Sequence, residues 1–451
     1  MVVAFLVYAI ALQIESCCTL LSAFLISGFI KVAPMSYTTL KVLCLTMLLG
    51  AGLPRLEAAI YSISDLGTLG GTTSSALDVN NLRQVTGNSL VASDPGSSGS
   101  LLRAYNWTSG TMTALPALAP LPAEVSPFNR FARGYAINDS GYVVGEFNNN
   151  SSRAFVFNPN TGVTTGLTRL SGGTDNGVAH DINNAGTIVG ISSNGTASRA
   201  TKWIDSGSGY VPSDLGTIAG TTTATGRAWA INQNGVAVGL STNAAVTPTS
   251  QATMWNGATI TNLTSLGNGT RFSQAYGVNT NNVAVGSSST GQTVGELIGT
   301  SSTTGITRGF VWNAGVMTEL APFNLYTPSN NGTTTNYHSV ANDLNDAGLI
   351  VGNSQRISGS AAVATLWQNG IPIDLNTLIP AGSGWNLLNA ESINDAGDIV
   401  GFGSFGGSNR AFMLTAVPEP SSLILLLGGG ASAFVMLRRR KHLRLAEAGQ
   451  A

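Results

Sequence analysis

The sequence predicts an all-β protein: a seven-bladed β-propeller built from repeats of about 50 residues, with an N-terminal signal segment and a C-terminal transmembrane helix. Three observations support this fold class. Glycine accounts for 55 of 451 residues and charged residues for only 10%, which favours turns and short strands over surface helices. Two short segments each recur seven times. Hydrophobic residues make up 43% of the chain, enough for a core, so disorder is the weaker alternative.

The first repeated segment has the pattern Ala-x-x-Ile/Val-Asn-x-x-Gly-x-x-Val-Gly and is complete at residues 179–190. Asparagine followed three residues later by glycine is typical of a type I turn with a bulge, in which glycine takes the left-handed conformation. The β-branched runs on both sides predict strands. Arg83 replaces the glycine in the first copy, and Asn282 replaces it in the fifth. The seven copies are centred on Asn80, Asn138, Asn183, Asn232, Asn279, Asn345 and Asn394.

The second repeated segment, Arg-Ala-aromatic-x-Trp, lies between copies of the first. Its tryptophan predicts a large apolar side chain buried against the neighbouring unit. Together the two segments predict about four short strands per unit, the size of a propeller blade. An open β-solenoid and a two-domain arrangement are the alternatives. The copies span residues 103–107, 153–157, 199–203, 251–255, 308–312, 363–367 and 410–414.

The two ends of the repeat region predict a closed ring. The last unit stops after residues 410–414 and lacks the strand that follows in the other units. Residues 61–67 resemble residues 211–216, which follow the third tryptophan segment, so they are expected to supply the missing strand. This pairing would remove a free sheet edge.

The N-terminal region predicts export. Lys41, the apolar run that follows it and the small residues near position 58 have the layout of a signal peptide, assigned to residues 35–58 with translation starting at Met35. Residues 1–34 are then an upstream extension, with an extra transmembrane helix as the alternative. Residues 59–416 form the repeat domain. All three cysteines precede it, so no thiol or disulfide chemistry is expected there.

A sorting signal is predicted at residues 417–441. An uncharged run at 421–437 is just long enough to span a membrane, and the basic cluster after it should stay cytoplasmic with the tail 442–451, which leaves the repeats across the inner membrane. This order resembles the PEP-CTERM sorting signal of Gram-negative bacteria. The resemblance implies recognition by an exosortase-type membrane protease. The signal residues are Val417, Pro418, Glu419, Pro420, Arg438, Arg439 and Arg440, of which Glu419 and its flanking prolines would be recognition residues.

The repeats resemble the HAF repeats of extracellular bacterial proteins. Arg153-Ala154-Phe155 and Arg410-Ala411-Phe412 carry the signature, with arginine in place of histidine. The resemblance covers roughly residues 61–415. It implies an exported, propeller-like protein without a known activity.

Motifs for catalysis, metals and cofactors are missing from the sequence. It has no His-Glu-x-x-His helix, no Gly-x-Ser-x-Gly elbow and no phosphate loop, so no catalytic residue, metal or cofactor is assigned. A net charge of −1 gives no support for nucleic-acid binding. His180 and His338 are expected at surface or interblade positions. The Asn-Asp turns at 138–139, 345–346 and 394–395 offer oxygen ligands for calcium, but a turn role is favoured.

The arginines of the second segment are the possible ligand-binding residues: Arg103, Arg153, Arg199, Arg308 and Arg410. Facing one side, they would bind acidic sugars or other carboxylates. Paired with the aspartate of the Asp-Leu-Gly segments, they would only connect strands, and their repetition favours this structural role.

The expected function is a non-catalytic binding or structural platform, exported to the surface or matrix. The link to exopolysaccharide or biofilm comes from the resemblance of the sorting signal. The alternative is a secreted propeller enzyme, a polysaccharide lyase or glycosidase. A non-repeat acidic residue that meets a tyrosine or histidine in the central cavity would favour the enzyme. An inert spacer is a third possibility. Insertions after Gly87, after Thr113, at 287–307 and at 321–337 are expected to carry specific contacts.

Overall fold

The computed structural model describes residues 61–92, 101–117, 131–148, 151–172, 177–242, 250–267, 271–293, 305–322, 338–355 and 362–417. All of them belong to the unit Ala59–Ala451. The predicted segment 1–34, the signal peptide 35–58, the sorting-signal residues after Val417, the transmembrane helix 421–437 and the tail 442–451 lie outside the described residues. In the described ranges, no helix combines the length and the hydrophobicity needed to cross a membrane.

Seven four-stranded antiparallel sheets follow one another along the chain, which confirms the predicted seven-bladed β-propeller. Blades 1 and 2 contain β2 (Gly70–Val79), β3 (Val85–Val91), β4 (Leu102–Thr108), β5 (Thr111–Ala114), β6 (Phe131–Ile137), β7 (Val143–Asn148), β8 (Ser152–Asn158) and β9 (Val163–Gly166). Blades 3 and 4 contain β10 (Gly177–Ile182), β11 (Ile188–Ser193), β12 (Ser198–Asp205), β13 (Tyr210–Asp214), β14 (Gly226–Ile231), β15 (Ala237–Thr242), β16 (Ser250–Asn256) and β17 (Thr259–Thr264).

Blades 5 and 6 contain β18 (Ser273–Val278), β19 (Ala284–Thr293), β20 (Gly305–Asn313), β21 (Val316–Glu319), β22 (Ser339–Leu344), β23 (Ile350–Gln355), β24 (Ala362–Gln368) and β25 (Ile371–Asp374). A short 3-10 helix, Leu375–Thr377, leads to blade 7, which contains β26 (Trp385–Ile393), β27 (Ile399–Phe405), β28 (Ser408–Ala416) and β1 (Tyr61–Asp65).

Strand direction gives the ring two faces. The first strand of each blade lies innermost, against the first strands of its neighbours, and ends in the Asn-x-x-Gly turn. These seven turns therefore share one face, the turn face. The links from second to third strand and from blade to blade begin and end at the opposite, loop face. The predicted insertions start there, and 93–100, 118–130, 294–304 and 323–337 lie outside the described residues.

The turns have the predicted geometry. The turn glycine is in the left-handed region in five copies, with φ of 78° at Gly186 and 82° at Gly397. Asn282 and Arg83 take the same conformation, with φ of 61° and 60°. Arg83 also pairs with Asp398, at 2.8 Å, across the seam between blades 1 and 7. This seam contact accounts for arginine at a position where the other copies favour glycine.

The closing glycine of the first repeated segment is required by a close approach of two strands. A Cβ on Gly190 would lie 2.0 Å from the carbonyl oxygen of Val178, where the pairing of β10 and β11 shifts register at a bulge. The equivalent glycines in the other six blades have the same conflict, at 1.9–2.1 Å. Any side chain at this position would push the second strand away from the innermost one.

Buried tryptophans connect neighbouring blades, as the second repeated segment predicts. Trp203, Trp255 and Trp367 are at most 1% exposed, and each packs against side chains of the preceding blade. Their indole nitrogens donate to carbonyls of the link between the two blades, such as Thr168 O at 2.6 Å from Trp203.

The ring closes through β1, which confirms the predicted missing strand. β1 pairs with β28 along its whole length, from Tyr61 opposite Ala416 to Asp65 opposite Phe412. Tyr61 and Leu66 are 2% and 3% exposed. All blades and buried clusters of the described residues lie between Tyr61 and Ala416, so residues 59–416, the range predicted for the repeat domain, include all seven blades.

Candidate functional site

A closed ring of seven asparagines surrounds the central channel at the turn face. This Asn ring consists of Asn80, Asn138, Asn183, Asn232, Asn279, Asn345 and Asn394, all at most 6% exposed. Each Nδ2 donates to the backbone oxygen of the asparagine in the next blade, at 2.8–3.3 Å. Each Oδ1 accepts from the backbone N–H four residues later, at 2.8–3.0 Å. One side chain therefore closes its own turn and connects two blades.

The channel opens at the turn face as an acidic funnel of about 700 Å³, its mouth included, lined by Asp78, Asp181, Asp343 and the turn residues. At its mouth, the Asp139 carboxylate accepts from Asn81 N at 2.9 Å, and the Asp395 carboxylate accepts from Asp346 N at 3.1 Å. These aspartates of the Asn-Asp turns thus bond to neighbouring blades. Among the described residues, no group of three or more His, Cys, Asp or Glu side chains is arranged to hold a metal ion.

Three half-buried aspartates lie deeper in the acidic funnel. Asp78, Asp181 and Asp343 accept hydrogen bonds from Ile137 N, Ile231 N and Ile393 N of the next blade, at 2.7–3.0 Å. Burial, and then the charge of Asp78, raises the pKa of Asp181 to about 8. Burial is also the main cause that raises the pKa of Asp343 to about 7 and moves that of Asp78 upward. Asp181 and Asp343 therefore gain or lose a proton near neutral pH.

The stability of residues 59–416 is expected to fall as pH rises from 6.5 to 8.5. The folded state keeps protons on Asp181 and Asp343 that the unfolded chain has released at its ordinary pKa near 4, so their stabilisation is lost as pH rises through the folded pKa values. The loss should be on the order of 1–2 kcal/mol. Thermal unfolding at fixed ionic strength measures it. Below pH 6.5, His180 makes stability increase with pH. Burial lowers its pKa to about 3, so the unfolded chain binds a proton there that the folded state does not.

The matched variant is Asp181→Asn, which removes one titrating group without changing its shape. Its melting temperature should vary less with pH than that of the wild type over the same window. A wild-type melting temperature that stays constant or rises between pH 6.5 and 8.5 would contradict the assignment.

Towards the loop face, the channel wall carries four aromatic side chains from consecutive blades. This aromatic layer consists of Tyr135, His180, Trp229 and Tyr276, with ring centroids 5.7, 4.3 and 5.7 Å apart in that order. The three residues other than His180 are partly exposed. The equivalent residues of the other blades are Leu77, Asn342 and Glu391, so this position breaks the repeat.

Polar groups flank the aromatic layer. Glu146 accepts from Arg133 and from the Tyr135 hydroxyl, both at 2.9 Å, and from Ser152 at 3.2 Å. A non-repeat acidic residue therefore meets a tyrosine near the channel, the arrangement that would favour an enzyme. Burial, followed by the Glu146 charge, raises the pKa of Tyr135 to about 12, so the phenol stays protonated at neutral pH.

Two more groups of the channel wall titrate away from their ordinary values. The low pKa of His180 leaves its ring neutral, and Nδ1, 2.8 Å from the carbonyl oxygen of Ala228, is then the donor of that hydrogen bond. Burial raises the pKa of Glu391 to about 7, and Asn389 donates to its carboxyl at 2.8 Å. Glu391 therefore changes charge near neutral pH, as Asp181 and Asp343 do at the turn face.

The arginines predicted as ligand-binding residues lie on the third strands of their blades. Arg199 pairs with Asp214 at 2.7 Å, Arg308 with Glu319 at 3.0 Å and Arg410 with Asp65 at 2.9 Å. Each partner belongs to the outermost strand of the same blade, in the Asp-Leu-Gly segment or its equivalent. Arg103 and Arg153 also have interaction partners. A further ligand role for this set stays a prediction.

Sequence reasoning missed the aromatic layer. The signal was the variable position two residues before the Ile/Val-Asn pair, filled by Tyr135, His180, Trp229 and Tyr276 in four consecutive repeats. The other histidine in question, His338, lies at the loop face, where its Nδ1 accepts from Thr307 N at 3.3 Å.

Comparisons with known proteins identify the C-terminal signal. Residues 416–441 match the PEP-CTERM protein-sorting motif. This motif implies recognition by an exosortase, and export to the cell envelope or surface. No curated protein matches the chain. The resemblance to HAF repeats is not confirmed by these comparisons and stays a prediction.

Several solved structures resemble the chain at low similarity. The β-propeller domain of the Trilobed protease from Pyrococcus furiosus is 9% identical at a TM-score of 0.46, over 79% of this chain and 94% of that one. Pyrococcus horikoshii acylaminoacyl peptidase is 10% identical at 0.43, over 77% and 53%. Puromycin hydrolase is 14% identical at 0.44, over 77% and 52%. The chain spans about half the length of the last two, and similarity at this level carries no information about activity.

Proposed function

We propose that this exported protein is a non-catalytic binding platform of the cell surface or extracellular matrix, and that its aromatic layer binds polysaccharide. The break in the repeat at the aromatic layer carries the proposal. Elsewhere in the channel, equivalent side chains bond one blade to the next. Among the described residues, only this layer places different aromatic side chains in contact across four blades.

The chemistry of the aromatic layer suits sugars. Pyranose rings present C–H faces that pack on aromatic rings, and hydroxyl groups that pair with amides and carboxyls. Trp229 and Tyr276 of blades 4 and 5 supply the rings. Polar groups come from blades 6 and 7, which carry Asn342, Asn389 and Glu391. The sorting motif supports a site of action outside the inner membrane, where such polymers occur.

The alternative, a secreted enzyme acting on polysaccharide, is favoured by one observation, the contact of Glu146 with Tyr135. A platform agrees better with the state of these groups. Glu146 already accepts from three partners, and Tyr135 has a raised pKa, so neither is an activated base or nucleophile at neutral pH.

A glycan array on residues 59–416, with and without calcium, tests the platform. We expect binding to at least one polysaccharide class, without cleavage of the polymer during incubation. Trp229→Ala should weaken binding about fivefold or more, since loss of one stacking ring costs on the order of 1 kcal/mol or more. Leu82→Ala, at the turn face, is the control, because it removes a side chain that is 66% exposed. Cleavage abolished by Glu146→Gln would establish the enzyme instead, and binding unaffected by Trp229→Ala would contradict the site.

A further inference from the structure

Arg227 differs in its pairing from Arg133, the other arginine beside the aromatic layer. Five arginines of the described residues lie 2.7–3.0 Å from a carboxylate oxygen: Arg83, Arg133, Arg199, Arg308 and Arg410. Arg227, on β14, has no carboxylate at ion-pair distance among the described residues. Its guanidinium lies over the Trp229 ring instead, 4.8 Å from the centroid. A half-buried cation without an anion lacks the compensation that buried charges usually have.

The position of Arg227 directs it into the channel. On β14, Arg227 and Trp229 are partly exposed while Ala228 and Ala230 are buried, and the contact of the guanidinium with the Trp229 ring places the two long side chains together. The Arg227 charge reaches both neighbouring blades. It adds to the effect of burial in lowering the pKa of His180, and it opposes the rise that burial causes at Tyr276. The guanidinium therefore lies over the middle of the aromatic layer.

A second donor lies beside Arg227 without an acceptor. The indole nitrogen of Trp229 is buried and has no hydrogen-bond partner among the described groups, unlike the indoles of Trp203, Trp255 and Trp367. Buried polar groups are rarely left unpaired in native structures. Arg227 lacks a carboxylate partner and the indole N–H of Trp229 lacks an acceptor, and the two side chains lie in contact within the aromatic layer.

We propose that Arg227 and Trp229 form a subsite for the carboxylate of an acidic sugar, a hexuronate unit of a polysaccharide. This assignment rests on the proposed function and names the class of its ligand. The guanidinium presents a planar pair of N–H donors that matches the two oxygens of a carboxylate. The stacked rings hold the sugar face while the guanidinium holds its charged group. Acidic sugars, the ligand class that the sequence offered for the second-segment arginines as the less favoured role, are thereby assigned to a different arginine.

Affinity measurements on residues 59–416 test the subsite with three probes: an oligouronate, the same oligomer with its carboxyls reduced to alcohols, and a sulfated oligosaccharide of equal length. The wild type should bind the oligouronate at least tenfold more tightly than the reduced oligomer. Arg227→Gln should remove this preference and leave the affinity for the reduced oligomer unchanged. Arg227→Lys, which keeps the charge without the planar donor pair, should be intermediate.

Arg271→Gln is the matched control. Arg271 is exposed at the loop face and has no carboxylate partner among the described residues, so its loss should leave all three affinities unchanged. A melting temperature of the Arg227 variants close to that of the wild type shows that the ring is intact, and Arg227→Lys serves if the glutamine variant unfolds. Equal wild-type affinity for the acidic and reduced oligomers would overturn the subsite and leave the platform standing. Binding to none of the probes would count against both, and equally tight, Arg227-dependent binding of the sulfated probe would overturn the choice of a carboxylate.

Discussion

Replacing Asn138 with alanine is expected to lower the free energy of unfolding of residues 59–416 by about 2–4 kcal/mol. The variant loses the bond from Nδ2 to Asn183 O, and it leaves Ser140 N and Tyr142 N without the Oδ1 acceptor. Unpaired backbone groups in a buried turn cost about 1–3 kcal/mol each, and water at the turn face offsets part of this. Chemical denaturation measures the change, and the melting temperature should fall by roughly 3–5 °C.

Ser140→Ala is the control within the same turn, because Ser140 is exposed and contributes only its backbone N–H to Asn138. Its stability should stay within about 0.5 kcal/mol of the wild type. Equal stabilities of the two variants would show that the Asn ring does not hold the blades together.

Deleting residues 59–67 is expected to open the ring. The variant loses the fourth strand of blade 7, the buried side chains of Tyr61 and Leu66 and the pair between Asp65 and Arg410. Burial of the two large side chains alone stabilises the fold by about 3–6 kcal/mol. The freed edge of β28 should also promote self-association, because an unpaired strand edge accepts other strands. Thermal unfolding and light scattering measure both effects.

A synthetic peptide of residues 59–67 provides the control. Added to the truncated protein, it should restore part of the lost melting temperature and suppress association, whereas a scrambled peptide should do neither. A truncated protein as stable and monomeric as residues 59–416 would contradict closure by β1.

The turns and the closure of the ring could be predicted from the sequence because local chemistry determines them. Asparagine and glycine at fixed spacing specify the turn, and the missing last strand left only one segment to supply it. The second role of the asparagine could not be derived, because Asn138 meets Asn183 only when two blades lie side by side. The need for the closing glycine of the first segment could not be derived either, because it depends on a close approach to a bulge in the neighbouring strand.

The candidate site was less predictable. The second-segment arginines were the possible ligand-binding set, although their repetition favoured a structural role. In the structure, Arg199, Arg308 and Arg410 have carboxylate partners that lie on an adjacent strand. Trp229 lies at a variable position of the first repeated segment and Arg227 directly precedes that segment, so the repeat pattern itself assigned neither residue a role. In a protein of repeats, the positions that depart from the repeat were the informative ones, and only the ring geometry shows that four of them are in contact.

The central claim, that ligand binds at the aromatic layer, is tested most directly by the indole N–H resonance of Trp229 in 15N-labelled residues 59–416. Its disappearance in Trp229→Phe assigns the resonance. On titration with a polysaccharide fragment that binds, this resonance should shift, while those of Trp203 and Trp367, whose indoles donate to carbonyls between blades, should stay in place. Saturable binding that leaves the Trp229 resonance unchanged would place the ligand elsewhere and contradict the claim.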